Sequence, residues 1–186
     1  MNNMNNMNDV KNTSKIAVIY KSHYGTTKQY AEWIAEALDA ALFEASSVKP
    51  AQLMDYDIVI YGGGLYAGGI LGAKLVAKNP CKSLVVFTVG LADPETTDFT
   101  DILTKNFTPE RLAGLKVFHL RGGIDYKKLG MVHKAMMALM KKETEKKPVA
   151  ERGADDHIFL ETYGGKIDFT EKETITPLIE YVRSLP

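Results

Sequence analysis

A chain of 186 residues, 45% of them hydrophobic and 25% charged, has the size and balance of one globular domain, large enough to bury roughly 70% of the surface its unfolded form exposes. Lysine plus arginine total 23 and aspartate plus glutamate total 23, so no basic excess points to nucleic acid. A single cysteine, Cys81, excludes an internal disulfide framework and any multi-cysteine metal or iron–sulfur site. No apolar run approaches the roughly 20 residues that span a bilayer, and the N-terminus lacks an apolar signal core, so a cytoplasmic location is expected.

In chain order, residues 1–14 (MNNMNNMNDVKNTS) are Asn-rich and offer little to bury. A disordered tail is expected there, followed by one domain over 15–186. Residues 15–20 (KIAVIY) form a short β-branched run suited to a strand buried on both faces. After the hydroxyl-rich loop SHYGTTKQ, residues 30–42 place Tyr30, Trp33, Ile34, Ala37, Leu38 and Ala41 on one helical face. A weak second strand is expected over 43–48 and a third over 57–61, closed by Gly62, Gly63 and Gly64. A short helix is expected over 71–77 and a fourth strand over 83–89. Asp93-Pro94-Glu95 and Thr108-Pro109-Glu110 each pair a capping side chain with proline and an acid, the device that opens a helix. The second such helix should end at Gly114. A fifth strand falls over 116–120 and a Met-rich amphipathic helix over 128–142. Thr170 and Glu173 form a capping box for a last helix to Arg183. Apolar strands alternating with helices predict an α/β fold, a three-layer doubly wound five-stranded parallel sheet with its ligand site beyond the carboxyl ends of the strands.

The informative segments therefore follow the first, third and fourth strands. Ser22, Thr26 and Thr27 bring hydroxyls to a turn opening into a helix, and Gly25 lets the backbone close around an anion. A phosphate monoester suits that turn; the G-x-x-x-x-G-K-[ST] loop of nucleoside triphosphate sites is absent. The alternative is a helix-cap cluster with no ligand, and the convergence of hydroxyl and glycine positions where such a fold binds ligands favours the phosphate. His23 there is either a proton relay or an exposed loop residue. The segment Gly62 to Gly69 contains a weak dinucleotide-type match, Gly62-x-Gly64-x-x-Ala67, with no acidic residue about 20 positions on to hold a ribose.

The S-x-Y-G-x-T pattern at 22–27 resembles the T-x-T-G-x-T phosphate loop of flavodoxins, and the likeness runs from about residue 15 to the C-terminus. It implies FMN, with Ser22, His23, Tyr24, Gly25, Thr26 and Thr27 around its phosphate. It also implies that Gly64, Leu65, Tyr66, Ala67 and Gly68 form one ring-binding loop and Gly90, Leu91 and Ala92 the second, with Tyr66 stacking on the flavin. The second loop has no aromatic residue, which would leave one ring face open to substrate; Gly122 and Gly123 are expected nearby. The run R-G-G-x-D-Y-K-K-L-x-x-x-x-K-A-M-M-A-L-M at 121–140 resembles the menaquinone-dependent protoporphyrinogen oxidases within this family. That likeness implies an FMN-dependent oxidoreductase passing electrons from a porphyrinogen to a quinone. The other reading is an electron carrier with no substrate of its own, although such carriers are usually strongly acidic and this chain is neutral.

Leu129, Val132, Met136, Leu139 and Met140 make one apolar stripe, widened by Met131 and Met137, among nine basic and four acidic residues over 121–152. Such a helix either packs on the core with its lysines solvated or lies on an anionic membrane surface. His119 is expected to be a hydrogen-bonded core residue, Cys81 structural, and Asp155, Asp156 and His157 a solvated strand start. A receiver-type signalling domain would need a phosphorylatable aspartate at a strand end, and the ends of strands one and three have none.

Overall fold

A computed structural model of the chain describes residues 14–186, so the expected tail lies outside the described residues except for Ser14. The first half of the chain gives β1 (Ile16–Lys21), α1 (Thr26–Leu38), β2 (Ala41–Glu44), β3 (Ile58–Tyr66), β4 (Gly69–Ile70), α2 (Lys74–Ala77) and β5 (Ser83–Gly90). The second half adds α3 (Thr100–Asn106), α4 (Pro109–Leu112), β6 (Lys116–Arg121), β7 (Gly123–Asp125), α5 (Met131–Lys146), α6 (Ala154–Thr162), β8 (Lys166–Asp168) and α7 (Thr176–Ser184). Five parallel strands run in the order β2-β1-β3-β5-β6, and β4 folds back antiparallel on β3. This is the expected doubly wound sheet.

The alternation of side chains along each strand builds a core on both faces. Val18, Ile58, Ile60, Val85, Phe87 and Val89 point to one side, against Tyr30 and Ile34 of α1 and Leu178 and Val182 of α7. Ala17, Ile19, Val59, Tyr61 and Val86 point to the other, against Val76 of α2 and Phe107, with Leu103 and Leu112 from α3 and α4. A third cluster, Ile124, Tyr126, Leu129, Met137 and Ile167, belongs to an excursion between β6 and α7, in which β7 and β8 pair antiparallel as a separate ribbon.

Several boundaries differ from the sequence expectation, for identifiable reasons. The second strand starts at Ala41 and ends at Glu44 because Ala17 to Tyr20 of β1 pair with Ala41 to Glu44. That ladder takes residues 41 and 42 from the expected helix, which ends at Leu38 with Asp39 left-handed. Gly62, Gly63 and Gly64 continue β3 in register with Phe87, Thr88 and Val89 rather than closing it. Asp93-Pro94-Glu95 forms a turn in which Asp93 Oδ1 accepts from Glu95 N–H at 3.0 Å, since a side chain that caps a helix closes a turn equally well. The helix in that connection begins at Thr100, behind Asp98. The expected cap at Thr108 holds, its hydroxyl accepting from Arg111 N–H. The Met-rich helix starts at Met131 behind Gly130, because residues 126–128 turn as a 3-10 segment, and it continues to Lys146. Residues 155–157 lie in α6, not at a strand start, with Asp156 paired to Lys147 at 2.9 Å. Thr170 bonds to Asp168 instead of capping α7, which a 3-10 turn at Lys172–Ile175 precedes.

Candidate functional site

Three connections meet beyond the carboxyl ends of β1, β3 and β5. In the first, Gly25 takes φ +99°, a left-handed conformation that glycine adopts without penalty, and its N–H donates to Ser22 Oγ at 3.0 Å. The first helical bond of α1 runs from Gln29 N–H to Gly25 C=O. The N–H groups of Thr26, Thr27 and Lys28 thus have no helical acceptor and carry the positive end of the helix dipole. Ser22 and Gly25 shape this turn, while His23, Tyr24, Thr26 and Thr27 line the cavity beside it.

The second connection is a two-residue hairpin turn between β3 and β4. Its central residues, Ala67 and Gly68, both have positive φ (47° and 74°), the geometry that matches the twist of a tight hairpin. Gly64, Leu65, Tyr66, Ala67 and Gly68 all reach the cavity. The third connection contributes Gly90, Leu91 and Ala92. A Cβ on Gly90 would stand 2.9 Å from Leu65 Cδ1, so the absence of a side chain there sets how closely the two loops approach. Arg121 at the end of β6 holds the third loop: its Nε donates to Leu91 C=O at 3.2 Å, Nη1 lies 3.7 Å from Asp93, and the guanidinium sits 4.1 Å over the Phe169 ring. Gly122 N–H donates to Gly90 C=O at 2.6 Å, which brings Gly122 and Gly123 to the cavity wall as expected.

The resulting cavity of about 350 Å³ is partly open, and a helix borders its remaining side. α5 crosses it, presenting His133, Met136, Met137 and Met140, with Leu129 and Ile124 beside them. Met136, Met137 and Met140 belong to the apolar stripe read from the sequence and His133 does not, and the stripe does not bury as one piece. Met137 is buried whereas Val132 and Leu139 face solvent. Phe99 adds an aromatic wall from the third connection, well beyond the loop where the sequence shows none.

His133, which its sequence position did not mark, joins the predicted residues in an aromatic cluster. Its ring centroid lies 4.5 Å from that of His23, 4.6 Å from Tyr66 and 5.4 Å from Tyr24. The Tyr24 hydroxyl is buried with no hydrogen-bond partner among the described residues, and burial, then the neighbouring Tyr66, pushes its pKa above the ordinary phenol value. An orphaned phenol, uncommitted helix N–H groups and an apolar slot between two glycine-bearing loops fit a flat heterocycle carrying a phosphate, and thus the FMN that the resemblance implies.

The remaining candidates fall away from the cavity. His119 accepts or donates through Nδ1 to the buried Thr88 hydroxyl at 2.6 Å and stacks on Phe99 with centroids 3.8 Å apart, the hydrogen-bonded core role expected of it. Cys81 is half-buried beside Arg111, and burial pushes its thiol pKa up. Among the described residues no group of histidine, cysteine and acidic side chains is placed to hold a metal. Among the described residues no helix is long and apolar enough to cross a membrane.

A sequence profile of the flavodoxin domain matches residues 17–150. An uncharacterized protein of Methanocaldococcus jannaschii is 34% identical over 55 residues, 29% of this chain; the match spans only 37% of that relative's length. Among solved structures, oxidised flavodoxin 2 of Bacillus cereus is similar with a TM-score of 0.45 and 19% identity over 80% of this chain and 94% of its own. A WrbA-like flavodoxin from Agrobacterium tumefaciens gives 0.40 and 24% over 55% and 75%. A Lactobacillus acidophilus flavoprotein in complex with FMN gives 0.39 and 16% over 58% and 92%.

Proposed function

Since the chain belongs to the flavodoxin-domain family, we propose that it is an FMN-binding redox protein that oxidises a small reduced substrate and passes the electrons to a quinone. The observation that carries the reading is the cavity itself, with phosphate-binding geometry at one end and an apolar slot lined by α5 along its side. Thr26 and Thr27 hold the phosphate through hydroxyl and backbone N–H groups, assisted by the dipole of α1. Tyr66 supplies a stacking face, Leu91 and Ala92 offer backbone groups to the ring edge, and Arg121 keeps that loop in place through Leu91 C=O. Bound FMN supplies reversible acceptance of electrons, chemistry that no side chain here has. Met136, Met137 and Met140 give an adaptable apolar surface for a flat substrate. His23 and His133 are the imidazoles at this cavity that can hold or release a proton.

A porphyrinogen is the substrate class that the 121–140 likeness suggests, and a lipid-soluble quinone the acceptor. The place of action is then the cytoplasm, within reach of the inner face of the membrane. An electron carrier without its own substrate is the other reading, and turnover separates the two. The first test is an absorbance spectrum of the purified protein after FMN is added and the excess removed. The expected result is a retained flavin band that bleaches on reduction; a folded protein that retains none overturns the redox reading. Steady oxidation of a porphyrinogen with a soluble naphthoquinone supports the oxidoreductase, and a flavin-loaded protein that turns over neither compound is the carrier.

A further inference from the structure

α5 is apolar on two sides, and the cavity uses only one of them. His133, Met136, Met137 and Met140 turn to the cavity. On a helix of 3.6 residues per turn, Met131, Ala135 and Ala138 then lie on the far side, with Leu139 and Val132 on the flank beside it. They are solvent-exposed there: Met131 is 88% exposed, Val132 74% and Leu139 60%. Aliphatic side chains of this size in one contiguous strip mark a surface that meets something.

The charges around the strip say what. Lys127, Lys128, Lys134 and Lys142 are exposed, and among the described residues none of them has a carboxylate partner. The two acids of the helix are already engaged, Glu143 with Lys146 at 2.7 Å and Glu145 with Lys141 at 3.5 Å. An apolar strip framed by uncompensated lysines is complementary to a surface that is apolar beneath and negative at its rim. A second copy of the chain is disfavoured, since a two-fold contact through this strip would bring like-charged lysines together.

We propose that the outward face of α5 is a docking surface for an anionic lipid bilayer, with Met131, Val132 and Leu139 entering the headgroup–acyl boundary and the four lysines pairing with lipid phosphates. The inference deepens the redox reading by naming the surface and the lipid chemistry; docking itself does not require the flavin. Because the opposite side of the same helix walls the cavity, docking brings the cavity to the bilayer surface, where an apolar electron acceptor is dissolved.

The test is co-sedimentation of the full-length, FMN-treated protein with vesicles of phosphatidylcholine alone or mixed with phosphatidylglycerol. Binding is expected to the mixed vesicles only, weakening as salt is raised. The double variant V132E/L139E should bind at least about tenfold less, and Lys128→Glu with Lys134→Glu should do the same by removing the charge. None of these four side chains lines the cavity, so flavin retention and the far-ultraviolet dichroism should be unchanged. The proposal is overturned by wild-type protein that ignores anionic vesicles, by equal binding to phosphatidylcholine alone, or by a V132E/L139E protein that binds as the wild type does. A dimer that L139E splits, with no vesicle binding, would assign the face to a second copy and also overturn it. Loss of flavin retention with vesicle binding intact would count against the redox reading alone.

Discussion

Tyr66 stands at the start of a turn whose next residue, Ala67, is held at φ 47°, a conformation that costs a side-chain-bearing residue about 1 kcal/mol or more. The turn aims Tyr66 at the cavity and against His133. On the FMN reading, Tyr66→Ala should weaken flavin binding about three- to tenfold, the value of one aromatic stacking contact. Titration of flavin fluorescence would show it, and unchanged affinity would remove Tyr66 from the site. His119 makes a second prediction. Burial holds its pKa below the ordinary value of 6.5. As pH falls below that value the unfolded chain gains a proton that folded His119 resists, so stability present at neutral pH is lost toward the lower folded pKa. The wild type should therefore lose more thermal stability between about pH 7.5 and about pH 5 than His119→Gln does. An equal loss in both would mean that His119 titrates normally.

Strand β3 shows what an element gains from residues without side chains. A Cβ on Gly62 would overlap the ring of Phe87 on the neighbouring β5, whose side chain fills the space glycine leaves. Gly62→Ala should destabilise the fold by roughly 1–3 kcal/mol through overpacking. Gly114→Ala, with nothing within 4 Å of the added atom, should stay within about 0.5 kcal/mol of the wild type. Equilibrium denaturation of the two variants checks the contrast, and equal stability would refute it. In the sequence these glycines look alike, because a glycine signals permissive backbone but not which neighbour needs the room. The same limit moved Asp93 from a helix cap to a turn and let β2 claim residues 41 and 42 from α1. Local capping and periodicity are weak energies that a sheet ladder overrides.

At the scale of the molecule, the doubly wound sheet and the 123–168 excursion differ in how they are held. Strands β1, β3 and β5 lie between two buried layers, whereas α5 rests on the excursion's own small cluster and on the residues that surround the cavity. Amide exchange should accordingly be slow throughout the central strands and faster in α5. If FMN occupies the cavity, adding it should slow exchange in α5 and in the loops at 22–27 and 64–68, leaving β1 and β3 through Ile60 unchanged. Uniform protection with and without FMN would mean that α5 does not close the site.

Much of this protein was legible from its sequence because the signals are local. Apolar runs such as 16–19 and 83–89 specify strands buried on both faces, and hydroxyls clustered about Gly25 specify a helix entrance suited to an anion. Those properties depend on a few neighbouring residues. Which of two apolar sides α5 turns inward, the meeting of His133 with His23 and Tyr66, and the grip of Arg121 on Leu91 join residues from 30 to 110 positions apart in the chain. No local pattern encodes such pairs. They are settled only when the sheet brings its carboxyl ends together and the excursion folds back across them.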